Sequence, residues 1–195
     1  MGYDEPPDSD LVAAAIGGDV PSFEIIYRRY AARVYGLCIR LARNAADAQD
    51  CTQETFIKAW RQLHHFRGDA SLGTWLHRIA VNEVLGRKRR ASAEERRLLV
   101  VQSRSVRAEG YVDGHGELEE VERAIGCLPE RARQAFVLHR IYGYTHEEAA
   151  GMLNIATGTC KAQVHRASRL LLEALRITDT AAATARGESR VGTDD

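Results

Sequence analysis

Apolar residues recur at intervals of three and four along most of the chain, in two stretches separated by a segment without this pattern. Such spacing places apolar side chains on one face of an α-helix. We see no internal repeat and essentially no stretch with the alternation of a β-strand. The pattern predicts an all-α protein with two small helical domains, 10–90 and 117–177. A flexible linker at 91–116, acidic from residue 108 onward and with a short helix near 94–101, would join them, and a disordered tail would occupy 178–195.

Two predicted helices of the second domain are separated by a tight turn. The first begins at residues 145–148, a capping box in which the Thr145 hydroxyl and the Glu148 carboxylate each bind a free backbone N–H. It ends near Asn154, a residue type that tolerates the left-handed conformation of a tight turn. The second runs from about residue 157 to 175. This arrangement is a helix-turn-helix candidate, whose second helix can enter the major groove of DNA.

Charge is segregated along the chain although 27 Lys and Arg balance 27 Asp and Glu. Residues 67–107 carry ten bases and four acids, whereas residues 108–122 carry six acids and no base. Basic blocks bind nucleic-acid phosphates, and a balanced total would hide such a block. Each charged block also lies beside a predicted helical motif, which favours a functional interpretation over a merely solvated surface.

The first residues of the chain argue against a secretory signal. Four acids occur among the first ten residues, and no Lys or Arg precedes Arg28. The longest uncharged run, Ala149–Cys160, has 12 residues and is too short to span a bilayer. We therefore expect a cytoplasmic protein without membrane insertion.

An acidic stretch lies in the predicted third helix. Asp47, Asp50 and Glu54 fall along one helical face, and Gln53 adjoins it. Paired carboxylates can perform acid–base chemistry or bind metal, but no His or Gly-rich partner accompanies these. An exposed acidic face usually solvates a helix or docks a basic partner, and docking is the interpretation favoured here.

Aromatic residues concentrate before and within the basic block. Phe56 and Trp60 are expected in the core of the first domain. Phe66 falls in a predicted loop, and Trp75 lies in the next helix, which Ser71 caps. Arg78 and Asn82 share the helical face of Trp75. Aromatic, cationic and amide side chains on one face suit an unstacked base held against a phosphate track.

Catalytic and metal-binding motifs find no support in the sequence. The four cysteines lie far apart, without a C-x-x-C pair, and are expected to be buried small hydrophobic residues. Residues 146–150 resemble the start of a zinc-protease helix but have Ala where the second His must stand. Phosphate-binding glycine loops and the G-x-S-x-G motif are absent from the sequence. We therefore expect no enzyme and no cofactor.

Three segments together resemble the extracytoplasmic-function group of bacterial RNA polymerase sigma factors. Residues 47–56 resemble the family's polymerase-binding helix, and residues 66–82 resemble its promoter-melting segment. Residues 128–167, including the capping box, resemble its second DNA-binding domain. The similarity covers about 10–90 and 117–175, which is most of the chain.

The resemblance implies that the chain binds core RNA polymerase and directs transcription from a small set of promoters. The acidic helix would dock on the β′ clamp helices, the aromatic loop would capture a flipped base of the −10 element, and the last helix would read the −35 element. The acidic segment 108–122 would thread the polymerase cleft, and an anti-sigma factor is an expected partner. The implied polymerase-binding residues are Asp47, Asp50, Gln53 and Glu54. The implied −10 residues are Phe66, Arg67, Gly68, Ser71, Trp75, Arg78, Asn82, Arg87 and Lys88. The implied −35 residues are Thr159, Lys161, Gln163 and Arg166.

Two other functions remain open at this point. A plain helix-turn-helix regulator would bind duplex DNA without polymerase, but would leave the acidic face and the aromatic loop unexplained. A sigma-like interaction protein would titrate an anti-sigma factor and direct no transcript.

Overall fold

The computed structural model describes residues 6–99 and 117–188, and these form two units divided near residue 110. Within the described ranges the chain forms helices and no strand, as the hydrophobic pattern predicts. The first unit contains α1 (Asp8–Ile16), α2 (Val20–Ala42), α3 (Ala45–Gln62), a 3-10 turn (Leu63–His65) and α4 (Leu72–Leu99). The second contains α5 (Glu117–Cys127), α6 (Glu130–Phe136), a π-helical turn (Val137–Ile141), α7 (His146–Leu153) and α8 (Thr157–Glu188).

Local capping residues define the helices of the first unit. Asp19 accepts a hydrogen bond from the Ser22 N–H at 2.9 Å, which caps α2 and lowers the pKa of that carboxyl. Arg43, directly after α2, has the left-handed conformation. The next residue, Asn44, caps α3: its side-chain oxygen accepts a hydrogen bond from the Asp47 N–H at 2.9 Å. Because only two residues separate α2 from α3, these helices are antiparallel neighbours.

The core of the first unit lies between α2, α3 and α4, each of which packs against the other two. Its large, fully buried side chains come mainly from α2 and α4. Thr52 and Thr55 are buried on α3, and their hydroxyls donate to the carbonyls of Ala48 and Cys51, four residues earlier. This bonding explains how two polar groups are accommodated in the interior. α3 can therefore present its opposite side, with its acids, to solvent.

The second unit is built around α8, which packs against α5, α6 and α7. The capping box at the start of α7 is present: the Glu148 N–H donates to Thr145 Oγ1 at 3.1 Å, and the Thr145 N–H donates to Glu148 Oε2 at 2.8 Å. Asn154 follows α7 with a φ of 54°, as its residue type predicts. The turn between α7 and α8 thus has the expected helix-turn-helix form.

Two helices extend beyond their sequence-based limits. α4 continues to Leu99, into the expected linker at 91–116, and α8 continues to Glu188, into the expected tail at 178–195. Residues 91–99 contain two each of Ala, Glu, Arg and Leu, and residues 178–188 contain four Ala; these residue types favour helix without forming an apolar stripe here. Hydrophobic periodicity does not detect such helices. The remaining parts of these two segments, including most of 108–122, lie outside the described residues.

The structure also tests what the sequence predicts for the cysteines and for membrane-spanning segments. Cys38, Cys51 and Cys160 are buried free thiols, as expected, whereas Cys127 is exposed at the end of α5. Within the described ranges, no helix combines the length and the apolar character needed to cross a membrane. The same part of the chain contains no group of three or more His, Cys, Asp or Glu residues that could hold a metal ion.

Candidate nucleic-acid and partner interfaces

The acidic edge of α3 is engaged by one residue of α4. Arg87 Nε donates to Asp47 Oδ1 at 2.7 Å, and a terminal nitrogen of the same guanidinium donates to Asp50 Oδ2 at 2.7 Å. Partial desolvation opposes the charge of Arg87, but the hydrogen bonds to both carboxylates raise the pKa of this guanidinium. Gln53 and Glu54 are exposed on the next turn of α3. The four residues expected at a docking face are therefore close together, but two of them are already paired.

A second ion pair joins the same two helices. Lys58 Nζ lies 2.6 Å from Glu83 Oε1, and the Glu83 side chain is only 12% exposed. Glu83 lies one turn before Arg87 along α4, and the Lys58 side chain is 40% exposed. α3 and α4 are thus held together by their apolar contacts and by this pair, independently of Arg87.

An apolar groove of about 960 Å³ runs between α2 and α3 beside the acidic edge. The Phe23 and Trp60 rings pack edge to face with centroids 4.9 Å apart, and Tyr27 packs in the same way on Phe56 at 4.7 Å. Gln53 also lines the groove. The expectation that Trp60 lies in the core is wrong, because its side chain is 38% exposed on the groove wall, whereas Phe56 is buried.

The groove is not among the features predicted from the sequence, although α2 carries a signal for it. Phe23, Tyr27, Ala31 and Tyr35 follow one another at intervals of four, and all of them line the groove. This stripe is displaced from the buried stripe of the same helix. A second apolar stripe on a helix indicates a second packed or docked face.

The loop before α4 brings together the aromatic and basic residues expected to contact the −10 element. The Phe66 and Trp75 ring centroids are 5.5 Å apart, and both rings line a small cavity of about 110 Å³. Arg67, Gly68 and Arg78 also line it. Gly68 has a φ of +77°, a backbone conformation that favours glycine, and this allows the loop to turn around the cavity.

Ser71 has a structural role at this site. Its hydroxyl accepts a hydrogen bond from the Thr74 N–H at 3.1 Å, so Ser71 caps α4 as predicted. Behind the cap, a Cβ added to Gly73 would lie 3.0 Å from the Tyr30 ring. The Tyr30 hydroxyl donates to Asp8, and burial together with this hydrogen bond raises the pKa of Tyr30 to about 12. α1 and α2 thereby fix the position of the first turn of α4.

The expected −10 residues of α4 do not share one face. At 100° per residue, Trp75, Arg78 and Asn82 lie within about 60° of one another, whereas Arg87 lies about 140° around the helix from Asn82. Lys88 lies about 120° from Asn82 on the other side and is half-buried. Arg89, which is exposed and lies only about 20° from Asn82, continues the face instead.

α8 presents its first turns to solvent. Thr159, Lys161 and Arg166 are exposed, and Cys160 and Val164 anchor the opposite side in the core. The outward face carries Thr159 and Arg166 together with Arg169. Gln163, which was expected to contact a base, lies at the edge of this face; its side-chain oxygen is buried and has no hydrogen-bond partner among the described residues.

Two histidines stack where the helix-turn-helix begins, one in the π-helical turn and one at the first position of α7. The His139 and His146 rings are stacked with centroids 3.8 Å apart, and His139 Nδ1 lies 2.8 Å from the Tyr144 carbonyl oxygen. Desolvation, and then the proximity of His139, Lys161 and Arg140, lower the pKa of His146. The neutral form of His146 is therefore favoured where α7 begins.

Comparison with known proteins identifies the family of both units. The family model for sigma-70 region 2 matches residues 26–94, and the model for sigma-70 region 4 matches residues 118–171. The first match contains the α3 edge, the loop before α4 and all of the groove except Phe23. The second contains the helix-turn-helix.

Individual relatives agree with these matches over nearly the whole chain. The chain is 34% identical to the ECF RNA polymerase sigma factor SigM of Mycobacterium tuberculosis, over 92% of this chain and 90% of SigM. It is 33% identical to the RNA polymerase sigma-H factor of Pseudomonas aeruginosa, over 87% and 94% respectively. Among solved structures, the sigma factor RpoE of Bartonella quintana, in complex with the anti-sigma factor NepR, matches with a TM-score of 0.65 and 28% identity. That match covers 81% of this chain and 99% of RpoE. The chain belongs to the extracytoplasmic-function sigma factors of the sigma-70 family.

Proposed function

We propose that this protein binds core RNA polymerase in the cytoplasm and directs it to promoters, as a transcription initiation factor and not as an enzyme. The observation that carries the proposal is the composition of the first unit. One small bundle holds an acidic helix edge with an apolar groove beside it and an aromatic, cationic cavity on the loop before α4. A plain duplex-binding regulator requires neither surface.

Polymerase docking is assigned to α3. Glu54 and Gln53 are exposed and extend the paired Asp47 and Asp50 into a continuous polar edge, and Gln53 also reaches the aromatic groove. An acidic rim beside an apolar groove suits a helical partner that has basic and apolar residues on adjacent faces. The β′ clamp helices are the partner that the family resemblance implies.

Promoter melting is assigned to the loop before α4 and to one face of that helix. Phe66 and Trp75 offer rings for stacking an extruded base, and Arg67 and Arg78 offer positive charge for its phosphates. Asn82 lies one turn beyond Arg78 and can hydrogen-bond a base edge. Ser71 and Gly68 shape the loop. The contacts of Arg87 favour a role on the docking edge instead.

Recognition of the −35 element is assigned to the exposed start of α8. Thr159 and Arg166 lie on the outward face and can reach bases or phosphates. Lys161 is exposed about 160° around the helix from Thr159, at the far border of the solvent-exposed surface, where its long side chain can reach a phosphate. Gln163 would have to turn its amide outward to contact adenine. The acidic segment 108–122 is proposed to thread the polymerase cleft, as the family resemblance implies.

An anti-sigma factor is the proposed inhibitor. The support is that RpoE, a structural neighbour aligned over most of this chain, was solved in complex with the anti-sigma factor NepR. The exposed aromatic groove of the first unit offers an apolar surface of the kind that such a protein partner could cover.

The docking assignment is tested by charge reversal at Glu54. Glu54→Arg should weaken binding to core polymerase about tenfold, because reversal replaces an interfacial attraction by repulsion. Affinity is measured by competition with a labelled wild-type protein for core polymerase. Glu173→Arg, which reverses an exposed acid on α8, is the matched control for net charge. Unchanged core affinity of the Glu54 variant would contradict the assignment.

A further inference from the structure

The fork formed by Arg87, Asp47 and Asp50 joins residues that the family resemblance assigns to different partners. The resemblance places the arginine on promoter DNA and both aspartates on polymerase. The structure instead places all three groups together, with two hydrogen bonds of 2.7 Å. A guanidinium is well suited to this task because its planar donors can bind two carboxylates at once.

The direction of Arg87 separates it from the proposed DNA face. The side chain leaves α4 towards α3, about 140° around the helix from Asn82. Arg89 occupies the position that continues the face of Trp75, Arg78 and Asn82, and it is exposed. The positive charge expected to hold the melted strand is therefore better supplied by Arg89.

A purely structural role does not account for the fork either. The apolar contacts of the buried core already join α3 to α4, and the Lys58–Glu83 pair links the same two helices. The Arg87 side chain is 40% exposed, and those of Asp47 and Asp50 are 43% and 53% exposed. Ion pairs as exposed as these contribute little to stability and exchange readily with other ions. A cation brought by a docking partner can compete for both carboxylates.

We propose that Arg87 is a built-in counter-ion of the docking surface, which core polymerase must displace from Asp47 and Asp50, and that Arg89 rather than Arg87 contacts the promoter strand. This inference rests on the proposed function, because it assumes that the α3 edge is where polymerase docks. While Arg87 holds the two aspartates, the docking edge presents a smaller negative charge. The arginine thus limits the affinity of the free protein for polymerase and leaves Gln53 and Glu54 as the first residues available to it.

The expected effects of substitution are opposite for the two arginines. Arg87→Gln should tighten binding to core polymerase about threefold at low salt, with the gain shrinking as ionic strength rises. Its effect on strand binding by the assembled holoenzyme should be negligible. Arg89→Gln removes the same charge two residues further along α4. It should leave core affinity unchanged and weaken holoenzyme binding to oligo(dT) about threefold, with a smaller salt dependence.

The experiment uses the full-length chain and bacterial core polymerase. Core affinity is measured by competition, and strand binding is measured by anisotropy of a fluorescently labelled oligo(dT) with each holoenzyme. A weaker or unchanged core affinity of Arg87→Gln would overturn the counter-ion role, and so would a loss of oligo(dT) binding in that variant but not in Arg89→Gln. Failure of the wild-type protein to bind core polymerase would instead overturn the proposed function itself.

A second set of variants keeps the test valid if Arg87→Gln folds poorly. In the wild-type background, Asp47→Asn combined with Asp50→Asn should change core affinity less than twofold. The contacts that polymerase loses at the two carboxylates are offset by the two ion pairs with Arg87 that it no longer has to break. In the Arg87→Lys background, where the lysine cannot bind both carboxylates in the same fork, the same double substitution should lower the affinity for core polymerase by a larger factor. Equal costs in the two backgrounds would contradict the inference.

Discussion

The two units of this sigma factor hold their candidate residues in different ways. In the first unit, Arg87 of α4 pairs with Asp47 and Asp50 of α3. The position of such a residue on its own helix does not show which partner its charge can contact. In the second unit Thr159 and Arg166 project from the face of α8 opposite the buried Cys160 and Val164, so helical position alone describes their exposure. A charged sequence motif therefore predicts where a binding surface lies. Which of its charged side chains can bind a partner depends on the ion pairs that they already make with other helices.

The two units also differ in how deeply they bury their histidines. The first unit contains a buried titratable group, His77, which is 7% exposed on α4. The stacked histidines of the second unit, His139 in the π-helical turn and His146 at the start of α7, are only half-buried. Acid should therefore affect the first unit more strongly than the second, and three further substitutions can sharpen or break this contrast.

The largest expected effect is the acid sensitivity of the first unit. Desolvation, and then the charge of Arg33, lower the pKa of His77 to about 4. Since the unfolded chain takes up this proton near pH 6.5, stability is fully present above that pH. It is lost as the pH falls towards 4, by up to about 3 kcal/mol.

The measurement is urea unfolding followed by tryptophan fluorescence, because both tryptophans of the chain, Trp60 and Trp75, belong to the first unit. His77→Phe keeps a buried ring without a titrating group and should flatten the profile between pH 6.5 and 4. His64→Gln, at an exposed position of the 3-10 turn, is the control. An equally steep acid loss in His77→Phe would show that other groups cause it.

An intermediate effect is expected at Asn82. Asn82→Ala should reduce open-complex formation about tenfold, the effect of losing roughly 1.4 kcal/mol of contact with an extruded base. Core affinity should not change, because Asn82 lies away from the α3 edge. Potassium permanganate footprinting of melted promoter DNA measures the first quantity, and competition measures the second. A parallel loss of both would rule out a role confined to base capture, and Gln62→Ala is a matched exposed-amide control.

The smallest effect is expected at the cap of α7. Thr145→Ala removes the hydroxyl of the capping box and should destabilise the second unit by about 1 kcal/mol. Thr145→Ser keeps the hydroxyl and should retain most of that stability. Hydrogen exchange of α7 amides measures the change, while tryptophan-detected unfolding of the first unit should be unaffected. A shift of the tryptophan transition would show that the two units do not unfold separately.

Sequence reasoning succeeded where the relevant contacts are local. The capping box at Thr145, the left-handed Asn154 and the Ser71 cap each depend on residues three or four positions apart, so their residue types suffice to predict them. The helical pattern and the family motifs likewise placed the acidic edge on α3 and the aromatic loop before α4.

The missed features depend on contacts between distant residues. Arg87 meets Asp47 across 40 residues of sequence, and nothing in the local pattern shows that it turns towards α3 rather than towards DNA. The exposure of Trp60 follows from the groove between α2 and α3, which forms only when both helices are in register. The burial of the Gln163 oxygen similarly depends on the packing around α8.

The central claim is that this protein makes core RNA polymerase start at specific promoters. Run-off transcription tests it most directly, with core polymerase and sheared genomic DNA from the source organism, with and without the protein. The account predicts transcripts with discrete start sites that appear only when the protein is added. No new transcript from a preparation shown to bind core polymerase would contradict it and favour a decoy that titrates an anti-sigma factor.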